Sequence, residues 1–214
     1  MVSNISNVYW RSRHLTYSKL SQLLDRLNEE EQRIAPGVLR QVIELAIEIA
    51  REGREGKKIG AMFVVGDEDS VLEHSKTLIL DPLYGHSEED KMIDNPNMRE
   101  TIKELALLDG AFVVSSHGAV LSATRYIDAH SKNTNVPLGL GSRHIAAASI
   151  TVETDAVAVV VSESSVVRLV NDGKIVAEII PELWLLQRIR SSIDEAEVQE
   201  IEEENVAVIS EKKK

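Results

Sequence analysis

There is no cysteine anywhere in the 214 residues. Disulfides, thiolate metal sites and cysteine nucleophiles are therefore excluded, and a reducing cytoplasmic setting fits. Aromatic residues make up only 4%, so a core has to be assembled from Val, Ile, Leu and Ala. No stretch reaches the roughly 18–20 apolar residues of a membrane helix, and the opening MVSNISNVYWRSRH lacks the apolar centre of a signal peptide. Positive charge is also scarce. The 24 Lys and Arg stand against 35 Asp and Glu, for a formal net charge of -11. Such a chain is a poor general binder of DNA or RNA, whose phosphates call for Lys and Arg. It stays compatible with a small phosphorylated ligand if a local site and a metal ion supply the positive charge. These absences lead us to expect a cytoplasmic protein whose partners include neither a membrane nor a nucleic-acid polymer.

What is present is apolar and β-branched. Hydrophobic residues make up 43%, enough for the core of one α/β domain with flanking helices. From Thr16 to Ile34 the residues Leu20, Leu23, Leu24 and Leu27 share one helical face. Ala35-Pro36-Gly37 breaks that pattern, and a second helix is expected from Val38 to about Arg51. Gly60 to Asp67 reads as a buried strand, and 68–96 as a loop-rich stretch forming a lid or an edge element. Asn97 with Glu100 suggests a helix start, ending at Asp109-Gly110. Ala111–Ser115 and Ala119–Ala123 then form a hairpin around His117-Gly118. Ser142 is expected to cap a short helix to about Ile150. Ala156–Ser162 is the clearest buried strand, and Val166–Val170 with Lys174–Ile179 pair around Asn171-Asp172-Gly173. Pro181 opens an expected last helix through Leu183, Leu186, Ile189, Ile193 and Ile201. The acidic run 202–204 and the three terminal lysines read as a solvated tail.

Three segments carry candidate chemistry. Asp109-Gly110-Ala111 places a carboxylate at a helix-to-strand junction where small residues permit close approach to the backbone; Asp-Gly is also a common turn pair. Gly139-Leu140-Gly141-Ser142-Arg143-His144 leads a glycine loop into a helix N-terminus, a ready anion site. There Ser142 adds a hydroxyl and Arg143 a fork matched to phosphate; the plain alternative is a capped turn with a surface Arg. Ser162-Glu163 closes the strongest strand, and ligands gather at such strand ends in α/β sheets. A carboxylate there can hold a divalent cation, although a lone Glu after a strand is commonly just solvated.

Taken in order and spacing, Asp-Gly-Ala, Gly-Ser-Arg-His and Val-Val-Ser-Glu resemble the diadenylate cyclase (DAC) domain family. Lys58-Ile59-Gly60-Ala61 before Phe63-Val64-Val65 is similar to that family's first core strand. Asp155-Ala156 before the valine-rich strand fits too, and Ser122 to Ile127 looks like its adenine-contacting segment. The resemblance covers about residues 40–180 and is nearest to the archaeal members without membrane helices. It implies an α/β fold, a central mixed β-sheet flanked by helices. Residues 1–37 would then be an N-terminal helical segment, 38–180 the catalytic domain, and 181–214 a C-terminal helix and charged tail.

The resemblance also implies an activity and roles for residues. Two ATP molecules would be condensed into cyclic di-AMP and two pyrophosphates across a face-to-face pair of protomers, each 3′-hydroxyl attacking the other's α-phosphate. Asp109 would orient or deprotonate the hydroxyl, and Gly110 and Ala111 would admit adenosine. Tyr126 and Ile127 would pack on adenine, or serve as ordinary core. Gly141, Ser142, Arg143 and His144 would grip phosphates, with Ser162 beside them, and Arg143 and His144 would join Asp109 as catalytic residues. Glu163, His144 and Asp109 would serve Mn²⁺ or Mg²⁺. The chain departs from the pattern in two places: Ser142 stands where Thr is common, and Ile145 replaces a second Arg. Arg125, Lys132 and Arg168 are the residues that could compensate for that Arg. The Ile145 departure also supports an alternative, an ATP- or cyclic di-AMP-binding sensor with little turnover.

Overall fold

The computed structural model describes residues 34–129, 134, 136–137 and 139–182, together with Gln22 and the backbone of 196–201 and 206–211. The helix expected over 16–34 lies outside the described residues except at Gln22 and Ile34, as do the acidic run, the terminal lysines and Lys132.

Valine-rich runs make the centre of the sheet. Ala61–Val65 (β1) and Val157–Val161 (β5) are buried at every position, which is why they appear in the sequence as continuous apolar runs rather than alternating ones. They pair antiparallel, Phe63 opposite Val159. On the other side of β1, Ala111–Val114 (β3) pairs parallel, with Phe63 opposite Phe112. These are the chain's only two phenylalanines, and their rings stack with centroids 5.1 Å apart. Val120–Ile127 (β4) returns antiparallel to β3, and Ser75–Thr77 (β2) adds an edge strand to β4. Val167–Asn171 (β6) and Lys174–Ile179 (β7) complete a seven-stranded mixed sheet in the order β2-β4-β3-β1-β5-β6-β7. The turn between β6 and β7 is Asp172-Gly173, both with positive φ, the twist that a two-residue hairpin needs.

Helices cover both faces. Side chains alternate along β1, so Phe63 and Val65 face one layer and Met62 and Val64 the other. The first layer is Val38–Glu52 (α1) and Pro96–Leu105 (α3), packing Leu39, Val42, Leu45, Ile49, Met98 and Ile102 onto the sheet. The second is Glu68–Glu73 (α2) and Ser142–Glu153 (α4), contributing Val71, Ala147, Ala148 and Ile150. Small residues on α4 bring its backbone close to the strands. The expected fold class, a mixed sheet flanked by helices, is the one observed.

Several expectations are corrected in detail. The stretch 68–96 is not simply loop: it holds α2, β2 and a 3₁₀ turn at Glu89–Lys91. Helix α3 is capped by Asn95, whose side chain accepts from the Asn97 amide, with Pro96 in the first turn. Ser142 is not a cap; Gly141 holds that position in extended conformation and no side chain caps the helix. Strand β4 runs on past Ala123 to Ile127. At the C-terminus, Ala196–Ile201 (β8) and Val206–Glu211 (β9) form a two-stranded antiparallel sheet. The last helix therefore does not reach Ile201; its expected course over 183–195 lies outside the described residues.

Candidate functional site

The helix α3 ends at Leu105, and the chain turns through Asp109-Gly110 into β3. Gly110 has φ +109°, and a Cβ there would sit 2.5 Å from the carbonyl carbon of Thr124 and 2.7 Å from the Arg125 nitrogen. The glycine is therefore required by β4, which bulges at this point: the β3–β4 register shifts after Ala111, and Thr124 itself has φ +53°. The space a side chain would fill is taken by that strand, and Gly110 itself lines the cleft beside this junction. The bulge determines how the following residues, Arg125 to Ile127, meet the start of β3.

Beside this junction lies a cleft of about 400 Å³. Met62, Ala111, Ile127 and Ala146 give it apolar walls, and Leu78 and Tyr126 line it as well. Ile127 is buried, whereas Tyr126 keeps 43% of its surface exposed and carries the Lys76 Nζ 4.9 Å from its ring centroid. The polar lining is Asp109, Ser142, Arg143 and Arg125. A second cleft of about 280 Å³ is lined by Gly141, Ser142, Arg143, His144, Val161, Ser162 and Glu163. Ser142 and Arg143 belong to both.

Arg143 is the hinge of the arrangement. One of its Nη atoms donates to Asp109 Oδ1 at 3.4 Å, and the other lies 3.7 Å from Glu163 Oε1. Three segments well separated in sequence thus meet at one guanidinium. The two carboxylates are largely exposed, at 91% and 76%, so neither is engaged in the core. Such pairs contribute little to stability. They leave charged groups facing solvent where a ligand could reach them.

His144 lines the second cleft but, unlike the two carboxylates, is buried. Its Nε2 accepts from Arg168 Nη1 at 3.2 Å. Arg168 is held in turn by Glu178 at 2.8 Å. Burial and the adjacent Arg168 and Arg143 cations push the His144 pKa down to about 4. The imidazole is thus neutral at ordinary pH. The contact to Arg168 places the ring proton on Nδ1, which has no hydrogen-bond partner among the described residues. A guanidinium occupies Nε2 and Nδ1 is buried, so this geometry lends no support to the metal role expected of His144. Ser162 Oγ pairs with Ser164 Oγ at 2.6 Å.

Two of the three candidate compensating cations lie among the described residues and are engaged there. Arg125 reaches Leu72 O at 3.0 Å and Ser75 O at 2.8 Å and so ties β4 to the end of α2. Arg168 is committed to Glu178 and His144. Ile145 is 53% exposed. Sequence reasoning missed Met62, Leu78, Ala146 and Gly60. The first three belong to an apolar wall that only the folded sheet assembles. Gly60 faces Arg143: a Cβ there would lie 2.6 Å from Arg143 Nη1.

A divalent cation fits this site only in part. Asp109 and Glu163 are hard oxygen donors of the kind Mg²⁺ and Mn²⁺ prefer. Among the described residues no three His, Asp or Glu side chains cluster as a metal site. Two carboxylates suit a cation that arrives with substrate phosphates. Among the described residues no helix is long and apolar enough to cross a membrane.

Comparison with known proteins shows the family of the chain. Residues 48–175 match the family model DAC, described as DisA bacterial checkpoint controller nucleotide-binding. A diadenylate cyclase of Methanocaldococcus jannaschii is 44% identical over 174 residues, 81% of this chain and 54% of the relative. A diadenylate cyclase of Haloferax volcanii is 40% identical over 153 residues, 71% of this chain and 56% of that relative. The chain thus spans about half the length of the curated relatives it matches. The crystal structure of a hypothetical membrane spanning protein from Bacillus cereus superposes with a TM-score of 0.50 at 19% identity, over 67% of this chain and 63% of that one; this likeness concerns the fold.

Proposed function

This chain belongs to the DAC family, the DisA bacterial checkpoint controller nucleotide-binding family, and on that premise we propose that it is a diadenylate cyclase acting on ATP in the cytoplasm. The observation that carries the reading is the convergence of Asp109, Arg143 and Glu163, with Arg143 3.4 Å and 3.7 Å from the two carboxylates, beside a cleft with apolar walls. Adenine is a flat, weakly polar ring and suits Met62, Ala111, Ile127, Ala146 and the exposed face of Tyr126. The triphosphate suits the α4 N-terminus, where Gly141, Ser142 and Arg143 offer free amides, a hydroxyl and a guanidinium.

In the proposed reaction the 3′-oxygen of one ATP bonds to the α-phosphorus of a second. The bond from that phosphorus to the bridging oxygen of the pyrophosphate breaks. A second, reciprocal attack closes the ring, and two pyrophosphates leave. Asp109 orients the attacking hydroxyl and draws on its proton. Arg143 holds phosphate oxygens, and salt bridges to Asp109 and Glu163 pre-set its direction. Nucleotidyl transfer depends chiefly on positioning and charge neutralisation, so a shallow site of this kind is sufficient. Mg²⁺ or Mn²⁺ bound by Asp109 and Glu163 with the phosphates would neutralise charge on the leaving pyrophosphate. Because each attack crosses from one nucleotide to another, two protomers face each other at their clefts.

Incubation with ATP and Mn²⁺ followed by mass analysis tests the reading. Cyclic di-AMP and pyrophosphate in a one-to-two ratio are expected. One observation favours a second reading, a nucleotide sensor: Ile145, half exposed beside Arg143, stands where the resemblance expects a second Arg. Tight ATP binding without any product would support the sensor and dismiss the cyclase.

A further inference from the structure

We propose that Gly60 is a positioning residue that sets the direction of the Arg143 guanidinium; the inference rests on the phosphate-gripping role of Arg143 proposed above. Gly60 immediately precedes β1. A Cβ built on it would lie 2.6 Å from Arg143 Nη1, 3.2 Å from Cζ and 3.3 Å from the Val161 carbonyl oxygen. The first distance is one that real carbon atoms do not tolerate. The bare glycine surface is therefore one wall of the slot that holds the guanidinium. Asp109 and Glu163 draw on the two Nη atoms from other directions, at 3.4 Å and 3.7 Å. With the glycine wall in place, the planar fork has one favourable direction, facing the phosphate-binding end of both clefts.

The cost of filling this space falls on the site rather than on the fold. Gly60 has no left-handed backbone angle, unlike Gly53 and Gly66 on either side of β1, so alanine meets no conformational strain there. The atom it displaces is the tip of a flexible side chain, and Arg143 is one-third exposed, so it has solvent to swing into. The Val161 carbonyl needs to yield only a few tenths of an ångström. Gly60→Ala should therefore fold normally and bind nucleotide poorly.

A double-mutant cycle tests this. Wild type, Gly60→Ala, Arg143→Ala and the double variant are compared by thermal unfolding and by calorimetric binding of 3′-deoxy-ATP with Mn²⁺, a probe that lacks the attacking hydroxyl. Gly60→Ala is expected to keep its Tm within about 2 °C, because no core contact is lost. It should bind about tenfold more weakly, as expected for a misdirected charge-assisted contact. With ATP, the loss should appear in KM while kcat changes less than about threefold. In the Arg143→Ala background, Gly60→Ala should change nothing further, since the space is then empty. Two results would overturn the inference while leaving the Arg143 role intact: Gly60→Ala binding as tightly as wild type, or losing equal affinity in both backgrounds. Unchanged binding by Arg143→Ala would instead remove the phosphate role of Arg143 and the inference with it.

Discussion

Asp109 and Gly110 are neighbours with opposite obligations. Asp109 is 91% exposed at its side chain and meets Arg143 through a long salt bridge. Gly110 holds φ +109° with the backbone of Thr124 and Arg125 pressed against the position of its missing side chain. The same dipeptide therefore yields two distinguishable variants. Asp109→Asn is expected to unfold at the wild-type temperature and keep most ATP affinity, while cyclic di-AMP formation drops by about 100-fold or more for loss of a group acting on the proton in flight. Gly110→Ala is expected to lose about 2–4 kcal/mol of stability, from a positive φ combined with a backbone clash that no rotamer change relieves. Thermal unfolding alongside product analysis checks both. An Asp109→Asn protein with full turnover would take Asp109 out of the chemistry. The residue identities of this site were largely legible in the sequence, because Asp109, Arg143 and Glu163 lie in short segments whose chemistry is local. The purpose of Gly110 was not, since the pressing atoms belong to Thr124 and Arg125, on a strand that bulges. Gly60 was equally hidden: nothing near it in sequence reveals that Arg143 fills its space.

Elements were legible where one signal sufficed. The run Val157 to Val161 is too short and too β-branched to be anything but a buried strand, and it is one. Helix boundaries were less legible, because caps depend on backbone angles. Asn95-Pro96 carried a usable signal, proline in the first turn, that Asn97 and Glu100 obscured. At 196–201 and 206–211 the β-branched Val198, Ile201, Val206, Val208 and Ile209 mark strands, against a helical spacing that extended too far from Pro181. Between elements, the contact of α1 with α3 depends on charge as well as apolar packing. Lys103 on α3 lies 3.1 Å from Glu48 and 3.2 Å from Glu52 on α1, and 2.9 Å from Glu100 on its own helix. Burial pushes the Lys103 pKa down, but bonds to Glu100, Glu48 and Glu52 outweigh burial and hold it above its usual value. The bond to Lys103 in turn lowers the pKa of Glu100. Lys103→Met would remove the cation shared by three carboxylates, leaving Glu48 with Arg99 and Glu100 with Arg54, and Tm is expected to drop by about 3–8 °C at pH 7. A carboxylate with a depressed folded pKa contributes stability above its unfolded value, about 4.5, and loses it as pH falls through the folded value. The gap between wild type and Lys103→Met is therefore expected to be full at pH 7 and to narrow below about pH 4.5. Thermal scans across that range decide it; a gap that widens in acid would mean the ammonium is not what holds α1 to α3.

At the scale of the whole molecule, charge opposes the assembly that the proposed chemistry needs. Each chain carries a formal net charge of -11, so two copies approaching face to face repel one another before any contact forms. ATP brings further negative charge into each cleft, which Arg143 and a divalent cation offset only locally. Repulsion of this kind is long-ranged and screened by salt: the Debye length shrinks from about 20 Å near 0.02 M to about 8 Å at 0.15 M. Contacts at the clefts are short-ranged and change less. Pairing should therefore tighten as salt rises over this range, the reverse of an association steered by opposite charges. Cyclic di-AMP formed per molecule is expected to climb with protein concentration, and the climb to begin at lower concentration in 0.15 M salt than in 0.02 M. Sedimentation velocity with 3′-deoxy-ATP and Mn²⁺ should show the same shift in mass. Salt also weakens the grip of Arg143 on phosphate, so the comparison belongs at saturating nucleotide, where binding no longer limits the rate. If output per molecule stays flat from nanomolar to micromolar protein while the mass remains that of a monomer, the two attacks are not crossing between protomers, and a single chain would have to hold both nucleotides at once.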